Sequence, residues 1–134
     1  MTKPRWLDLQ VILSVHDIQI AEHGGLAGIR DSDLLESALA RPRQLHAYNP
    51  DATLWQMGAA YAVGISSNHP FTDGNKRTAL MAAYIFLLDN GWELNAPEVE
   101  AALVFEQVAN NLLSEEQLAD WFCKWCDQIA LEDL

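Results

Sequence analysis

Basic residues are scarce in this chain. Only 8 of its 134 residues are lysine or arginine, against 19 aspartates and glutamates, which gives a formal net charge of −11. Affinity for nucleic acids and for anionic membrane surfaces depends on basic side chains, so this balance argues against direct binding to either. It favours a protein partner that carries basic residues of its own.

Cysteines and long hydrophobic runs are also scarce. Cys123 and Cys126 form a Cys-x-x-Cys pair, and no second pair exists to complete a zinc site. They fall in an aromatic-rich predicted helix, which favours packing thiols over redox chemistry or metal binding. The apolar run over residues 78–88 is too short to span a bilayer, and residues 1–5 do not resemble a signal peptide. We therefore expect a cytoplasmic protein without membrane contact.

Hydrophobic residues make up 50% of the sequence, which excludes a disordered chain. We expect one domain over residues 1–134, because no linker or repeat is visible. Helical periodicity predicts an all-α fold, with capping boxes formed by Asp33 with Glu36 and by Ser114 with Gln117. The predicted helices cover residues 6–22, 33–40, 53–67, 78–88, 95–110 and 114–129. Residues 43–52 have turn chemistry instead, and glycines in the third helix predict close approach of a neighbouring helix.

The most informative segment is His69-Pro-Phe-Thr-Asp-Gly-Asn-Lys-Arg77, which directly precedes the apolar run. We expect that run to form a buried helix, so the motif lies at a helix N-terminus, where free backbone N–H groups favour an anion. Lys76 and Arg77 oppose the helix macrodipole there, at a cost of roughly a few tenths of a kcal/mol each. A bound phosphate would satisfy both cations and the helix end. The motif therefore predicts a phosphate-handling site.

Two side chains of the motif suit catalysis, although each has a simpler interpretation. His69 precedes a proline, which favours an extended conformation in the loop before the helix. Histidine is the usual base for a hydroxyl proton, and the alternative is an ordinary loop histidine. Asp73 stands where a helix N-cap belongs. Its alternative role is to hold Mg²⁺, which commonly binds one carboxylate together with phosphate oxygens.

The remaining motif residues suit phosphate binding. Gly74 and Asn75 allow a tight turn that points backbone N–H groups at phosphates. Lys76 and Arg77 would hold the phosphates and neutralise charge that develops during transfer. Phe71 is expected chiefly to anchor the loop in the core.

The motif resembles the signature of the Fic/Doc family, His-x-Phe-x-Asp/Glu-Gly-Asn-Gly-Arg-x-x-Arg. Lys76 replaces the second glycine and Leu80 the final arginine. The Asn-Lys-Arg form is similar to the Doc (death-on-curing) toxin branch of Phd/Doc-type toxin–antitoxin systems, as are residues 24–31 and 34–43. The resemblance implies a compact Fic-like helical bundle with a small β-hairpin flap near the active site. It implies that the flap lies between Pro42 and Thr53.

The resemblance also implies a function: a toxin that uses ATP and Mg²⁺ as a protein kinase. The γ-phosphoryl group would pass to a threonine or serine hydroxyl of elongation factor Tu, inhibiting translation. The resemblance assigns catalysis to His69, Lys76 and Arg77, the metal to Asp73, and cofactor binding to Phe71, Gly74, Asn75, Lys76 and Arg77. A Phd-like antitoxin is the implied partner, bound as a helix beside the motif. Two alternatives stay open: Fic-type AMP transfer to a protein hydroxyl, and a non-catalytic nucleotide- or protein-binding module.

Other basic side chains are candidates for the same site. Arg30, Arg41 and Arg43 belong, with Lys76 and Arg77, to the eight basic residues, and we expect part of this group to face one site. His46 is expected to approach from the flap side.

Overall fold

The computed structural model describes residues 3–130, which fold into six helices and two short strands. The helices are α1 (Leu9–His23), α2 (Ser32–Tyr48), α3 (Leu54–Asn68), α4 (Asn75–Asp89), α5 (Glu98–Ala109) and α6 (Glu115–Trp125). The strands β1 (Trp92–Leu94) and β2 (Cys126–Gln128) pair antiparallel, with Glu93 opposite Asp127. This arrangement confirms the all-α fold class with a small two-stranded sheet.

Helices α3 and α4 form the centre of the molecule. Tyr61 and Ile65 of α3 and Phe86 and Leu87 of α4 are completely buried. A helix that is apolar on most sides must be covered on most sides, and α2, α4 and α6 surround α3. The site at the start of α4 is therefore built on the central, most extensively buried pair of helices.

Two glycines of α3 permit the close packing that the sequence predicts. A Cβ atom at Gly64 would lie 3.3 Å from the backbone of Ala38 in α2. At Gly58 it would lie 3.4 Å from the side chain of Leu87 in α4. The absence of a side chain thus lets α2 and α4 approach α3 from two directions.

Helices α2, α3 and α6 each begin with a side-chain cap. Ser114 with Gln117 forms the predicted capping box, in which each side chain bonds to the other's backbone N–H. At α2 the predicted box of Asp33 and Glu36 is wrong. Asp31 is the N-cap, and its side chain accepts a hydrogen bond from the N–H of Leu34 at 3.0 Å.

The segment after Ala40 differs most from its prediction. Helix α2 continues through Pro42 to Tyr48, so the flap predicted between Pro42 and Thr53 does not lie there. The ring of Pro42 is fully buried, and this burial offsets the backbone hydrogen bond that proline cannot make. At the other end of the fold, α6 stops at Trp125 rather than at Ile129, because Cys126–Gln128 pairs with β1.

None of the helices formed by residues 3–130 has the length and apolar character that a bilayer span requires.

Candidate active site at the start of helix α4

The loop between α3 and α4 is shaped by two left-handed residues. His69, the C-cap of α3, has φ 49° and ψ 54°, so the extended conformation predicted for it is wrong. Its N–H still donates to the carbonyl of Ile65 at 3.2 Å and closes the last turn of α3. Gly74, with φ 75°, is the N-cap of α4, which excludes the N-cap interpretation of Asp73. Glycine adopts this conformation without the penalty that a Cβ would add.

Asn75 fixes the loop from within. Its side chain is buried, and its Oδ1 accepts the N–H of Phe71 at 3.0 Å while its Nδ2 donates to the carbonyl of Phe71 at 2.9 Å. These two bonds determine which end of the amide is the donor. The second Nδ2 hydrogen faces Nδ1 of His69 at 3.3 Å. In this geometry the neutral imidazole keeps its lone pair on Nδ1 and its hydrogen on Nε2.

Phe71 anchors the loop beneath α1. Its ring is 1% exposed and stacks on the ring of His16 with centroids 3.9 Å apart and an interplanar angle of 8°. His16 is itself buried, and its Nε2 lies 2.8 Å from the carbonyl oxygen of Asp73. This role of His16 was not predicted from the sequence, although a histidine on the apolar stripe of α1 was the available signal.

A segment between α1 and α2, residues 24–31, flanks the motif, and we call it the glycine loop. Ile29 forms a β-bridge with Phe71, and the N–H of Thr72 donates to the carbonyl of Gly28 at 3.1 Å. On the motif side, Oδ2 of Asp73 accepts the N–H of Leu26 at 3.2 Å. The short extended segment beside the site is therefore the glycine loop, not residues 42–53.

Arg30 of the glycine loop secures the end of α3. Its Nε donates to the carbonyl of His69 at 2.7 Å, and its Nη2 donates to the carbonyl of Asn68 at 2.9 Å. A cation at a helix C-terminus is favoured by the macrodipole. His69 is thereby held at two points, its carbonyl by Arg30 and its ring by Asn75.

The other predicted basic neighbours lie elsewhere. Arg41 pairs with Glu115, and the guanidinium carbon of Arg43 lies 5.8 Å from the ring centroid of Trp6. His46 also packs against Trp6, with ring centroids 5.9 Å apart. The expectation that His46 approaches the motif is wrong, since the segment around it is helical and faces Trp6.

The motif residues enclose an open pocket of about 340 Å³. It is lined by His69, Thr72, Asp73, Gly74, Asn75, Lys76 and Arg77. A larger cavity of about 840 Å³ lies around Lys3, His46 and Asn90, away from the motif. We favour the smaller pocket, because it combines a helix N-terminus, an imidazole, a carboxylate and two cations.

The charged side chains of this pocket are all exposed. Lys76 donates to the carboxylate of Glu106 in α5. The hydrogen bond and the positive charge of Lys76 lower the pKa of Glu106 below its ordinary value. Arg77 has no carboxylate partner within residues 3–130. The pocket therefore offers one paired cation and one that is available to an anion.

The pocket supplies few side-chain donors for a metal ion. In the described part of the chain no three histidine, cysteine, aspartate or glutamate side chains group as a protein-only metal site. Asp73 is the only carboxylate among the pocket-lining residues. Its Oδ1 accepts the N–H of Gly74 at 2.9 Å, and each carboxylate oxygen keeps a further lone pair. The residues thus fit Mg²⁺ held jointly by Asp73 and a bound phosphate.

The two cysteines lie far from this chemistry. Both are free; Cys123 is exposed and Cys126 is buried. Burial, the charge of Asp127 and Cys123 raise the pKa of Cys126 to about 12. A thiol that stays protonated is a poor nucleophile and metal ligand, which agrees with a packing role for Cys126.

Sequence similarity to known proteins extends over the region that contains this pocket. Residues 6–87 match the Fic/DOC family. The chain belongs to the Fic/Doc family. The matched region of this Fic/Doc protein includes the whole motif, the glycine loop and most of α4, whereas α5 and α6 lie outside it.

Two relatives have names that state a function. The "Protein kinase doc" of Escherichia phage P1 is 34% identical over 96 residues, which cover 71% of this chain and 76% of that protein. The "Toxin Doc" of Mycolicibacterium smegmatis is 42% identical over 93 residues, which cover 68% of each chain.

Proposed function

We propose that this Fic/Doc protein is the toxin of a toxin–antitoxin module and acts as a nucleotide-dependent protein kinase. Its reaction is transfer of the ATP γ-phosphoryl group to a threonine or serine hydroxyl of elongation factor Tu. The observation that carries the proposal is the pocket at the start of α4, where His69 and Asp73 face the same space as two cations. The toxin and kinase names of the two relatives support it.

The phosphates of the nucleotide bind at the N-terminus of α4. The first N–H groups of the helix have no acceptors within the helix, and the residues of its first turn, Asn75, Lys76 and Arg77, line the pocket. Arg77 supplies a planar guanidinium for two parallel hydrogen bonds, and Lys76 supplies a point charge. Their exposure leaves both side chains able to reach a ligand. Such fixed positive groups stabilise the charge that spreads over the transferred phosphoryl oxygens.

His69 takes the proton from the target hydroxyl. The hydroxyl oxygen bonds to the γ-phosphorus, the bond from phosphorus to the bridging β–γ oxygen breaks, and ADP leaves. Proton uptake at Nε2 requires the tautomer with hydrogen on Nδ1, in which the contact with Asn75 is lost. That contact is long, at 3.3 Å, so its loss costs no more than about 0.5–1.5 kcal/mol.

Asp73 holds the magnesium ion at the phosphates. When bound, Mg²⁺ neutralises phosphate charge and fixes the orientation of the phosphoryl group. The hydrogen bonds that Asp73 accepts from Leu26 and Gly74 set the direction of its carboxylate before any ligand arrives. Such orientation of a metal ligand by neighbouring donors is common in metal sites.

AMP transfer is the second candidate, because it uses the same site with a different leaving group. Leu80 weighs against it. The signature of the family has a second arginine at this position. Leu80 is instead half-buried and packs against the hydrophobic core of the protein. No cation from that position is available to a second phosphate group.

The antitoxin is the expected partner. A net charge of −11 favours a basic protein segment. On α5, beside the motif, Val99 and Leu103 are 76% and 62% exposed. An apolar surface of this kind suits the helix that we expect the antitoxin to contribute.

Labelled ATP distinguishes these reactions. We expect label from γ-phosphate-labelled ATP, but not from α-phosphate-labelled ATP, to appear on a protein in a translation extract, and we expect none with His69→Ala. Transfer of the α-label would establish AMP transfer. Tight Mg-ATP binding without transfer of either label would establish a non-catalytic binding module.

A further inference from the structure

Lys76 forms an ion pair with a residue that the motif does not contain. Glu106 lies in the last turn of α5, 30 positions along the chain, and its Oε2 accepts a hydrogen bond from Nζ of Lys76. The two side chains are 45% and 55% exposed. Lys76 lines the motif pocket, whereas Glu106 does not. The ammonium group is thus bonded to a carboxylate that lies outside the pocket lining.

We propose that Glu106 is a positioning residue that holds the Lys76 ammonium group away from the nucleotide phosphates and so weakens their binding. The inference rests on the function proposed above, because it concerns the same pocket. A lysine ammonium is a compact charge on a flexible stem, so rotation of the side chain exchanges one anion for another. Phosphates entering the pocket compete with Glu106 for this cation.

Arg77, the other cation of the pocket, differs from Lys76 in its partners. Within the described residues its guanidinium has no carboxylate partner, so it meets the first phosphate without displacing anything. Lys76 joins only after its pair with Glu106 breaks.

The size of the effect follows from exposure. Exposed ion pairs are weak, so removing the competitor strengthens phosphate binding by a small factor, about two- to fivefold. Tighter binding is the opposite of what a merely structural loss produces, because a loosened α5 would weaken the site.

The experiment is isothermal titration of the full-length protein with Mg-ATP, comparing wild type, Glu106→Gln and Glu98→Gln. Glu98→Gln is the charge-matched control, since Glu98 is exposed on the first turn of α5 and has no ion pair among residues 3–130. We expect about two- to fivefold tighter binding by Glu106→Gln and unchanged binding by Glu98→Gln. Thermal unfolding verifies that each variant is folded.

The Lys76→Met background separates the mechanism from simple charge removal. There, adding Glu106→Gln should change Mg-ATP affinity by less than about 1.5-fold, because Glu106 has no cation to hold. Equal tightening in both backgrounds would overturn the inference, as would unchanged or weaker binding by Glu106→Gln alone. If wild type binds Mg-ATP and Glu106→Gln does not differ from it, only this inference fails. If wild type binds no Mg-ATP, the proposed function fails together with it.

Discussion

The contact between the glycine loop and Asp73 can be broken by one methyl group. A Cβ atom added at Gly25 would lie 2.8 Å from Oδ2 of Asp73 and 3.2 Å from Cδ1 of Ile20. Gly28 offers a matched control, because its nearest contact would be Oγ1 of Thr72 at 3.8 Å. The two glycines have similar φ angles, +118° and +112°. Alanine is strained to a similar degree at both, by about 1–3 kcal/mol.

The activities of Gly25→Ala and Gly28→Ala should therefore differ mainly because only Gly25→Ala displaces the Asp73 carboxylate. To relieve the contact, the carboxylate must move by roughly 0.5 Å, and misplacement of about 1 Å at a reacting centre can cost on the order of 100-fold in rate. We expect kcat/KM for phosphoryl transfer to be about tenfold lower in Gly25→Ala than in Gly28→Ala. The bond from the N–H of Leu26 is also lost, which lowers the free energy of unfolding by a further 0.5–1.5 kcal/mol or so.

Kinetics and urea unfolding of both variants, measured side by side, test this. Equal kcat/KM in the two variants would refute the reasoning, since Asp73 would then have no positional role in the reaction. A much larger loss of unfolding free energy in Gly25→Ala, above about 3 kcal/mol, would also refute it, because the activity would be lost through the fold.

Further predictions concern packing and the thiols. Gly64→Ala should lower the free energy of unfolding, because its Cβ would lie 3.3 Å from the Ala38 backbone. Gly58→Ala should leave the free energy of unfolding unchanged or raise it by up to about 1 kcal/mol, because alanine has the higher helix propensity. Urea unfolding measures both variants, and a less stable Gly58→Ala would contradict this account of the packing. Iodoacetamide should label Cys123 in the native protein and spare Cys126, as mass spectrometry would reveal. The pKa of Cys126 is raised above its ordinary value of 9.0. The contribution of the Cys126 thiol to the free energy of unfolding is therefore complete below about pH 9 and falls as pH rises toward 12. Unfolding free energy should therefore decline less between about pH 8 and pH 10 in Cys126→Ala than in wild type; an equal decline would contradict the raised pKa.

The parts of the fold that sequence predicted are those with strong local signals. Neighbouring residues alone predict the capping box of Ser114 and Gln117, the burial of the apolar helix α4 and the close packing at the small residues of α3. The prediction failed at Pro42, which lies inside α2 although proline normally ends a helix. Its ring is buried against the core, and this tertiary burial, which local propensity cannot reveal, carries α2 onward to Tyr48.

In the site, sequence predicted the cluster of residues but not their contacts. Asp73 stood where an N-cap belongs, yet its carboxylate bonds to Leu26, 47 positions away. His69 adopts a left-handed conformation that its following proline disfavours, and Arg30 and Asn75 hold it there. These arrangements depend on chain segments that meet only in the folded protein.

The most direct measurement is the intact mass of purified elongation factor Tu after incubation with this protein and Mg-ATP, with His69→Ala alongside. The account predicts a mass increase of one phosphoryl group, located on a threonine or serine, that disappears with His69→Ala. An adenylyl-sized increase, or a phosphoryl-sized increase that persists with His69→Ala, would contradict it. An unchanged mass would contradict elongation factor Tu as the substrate.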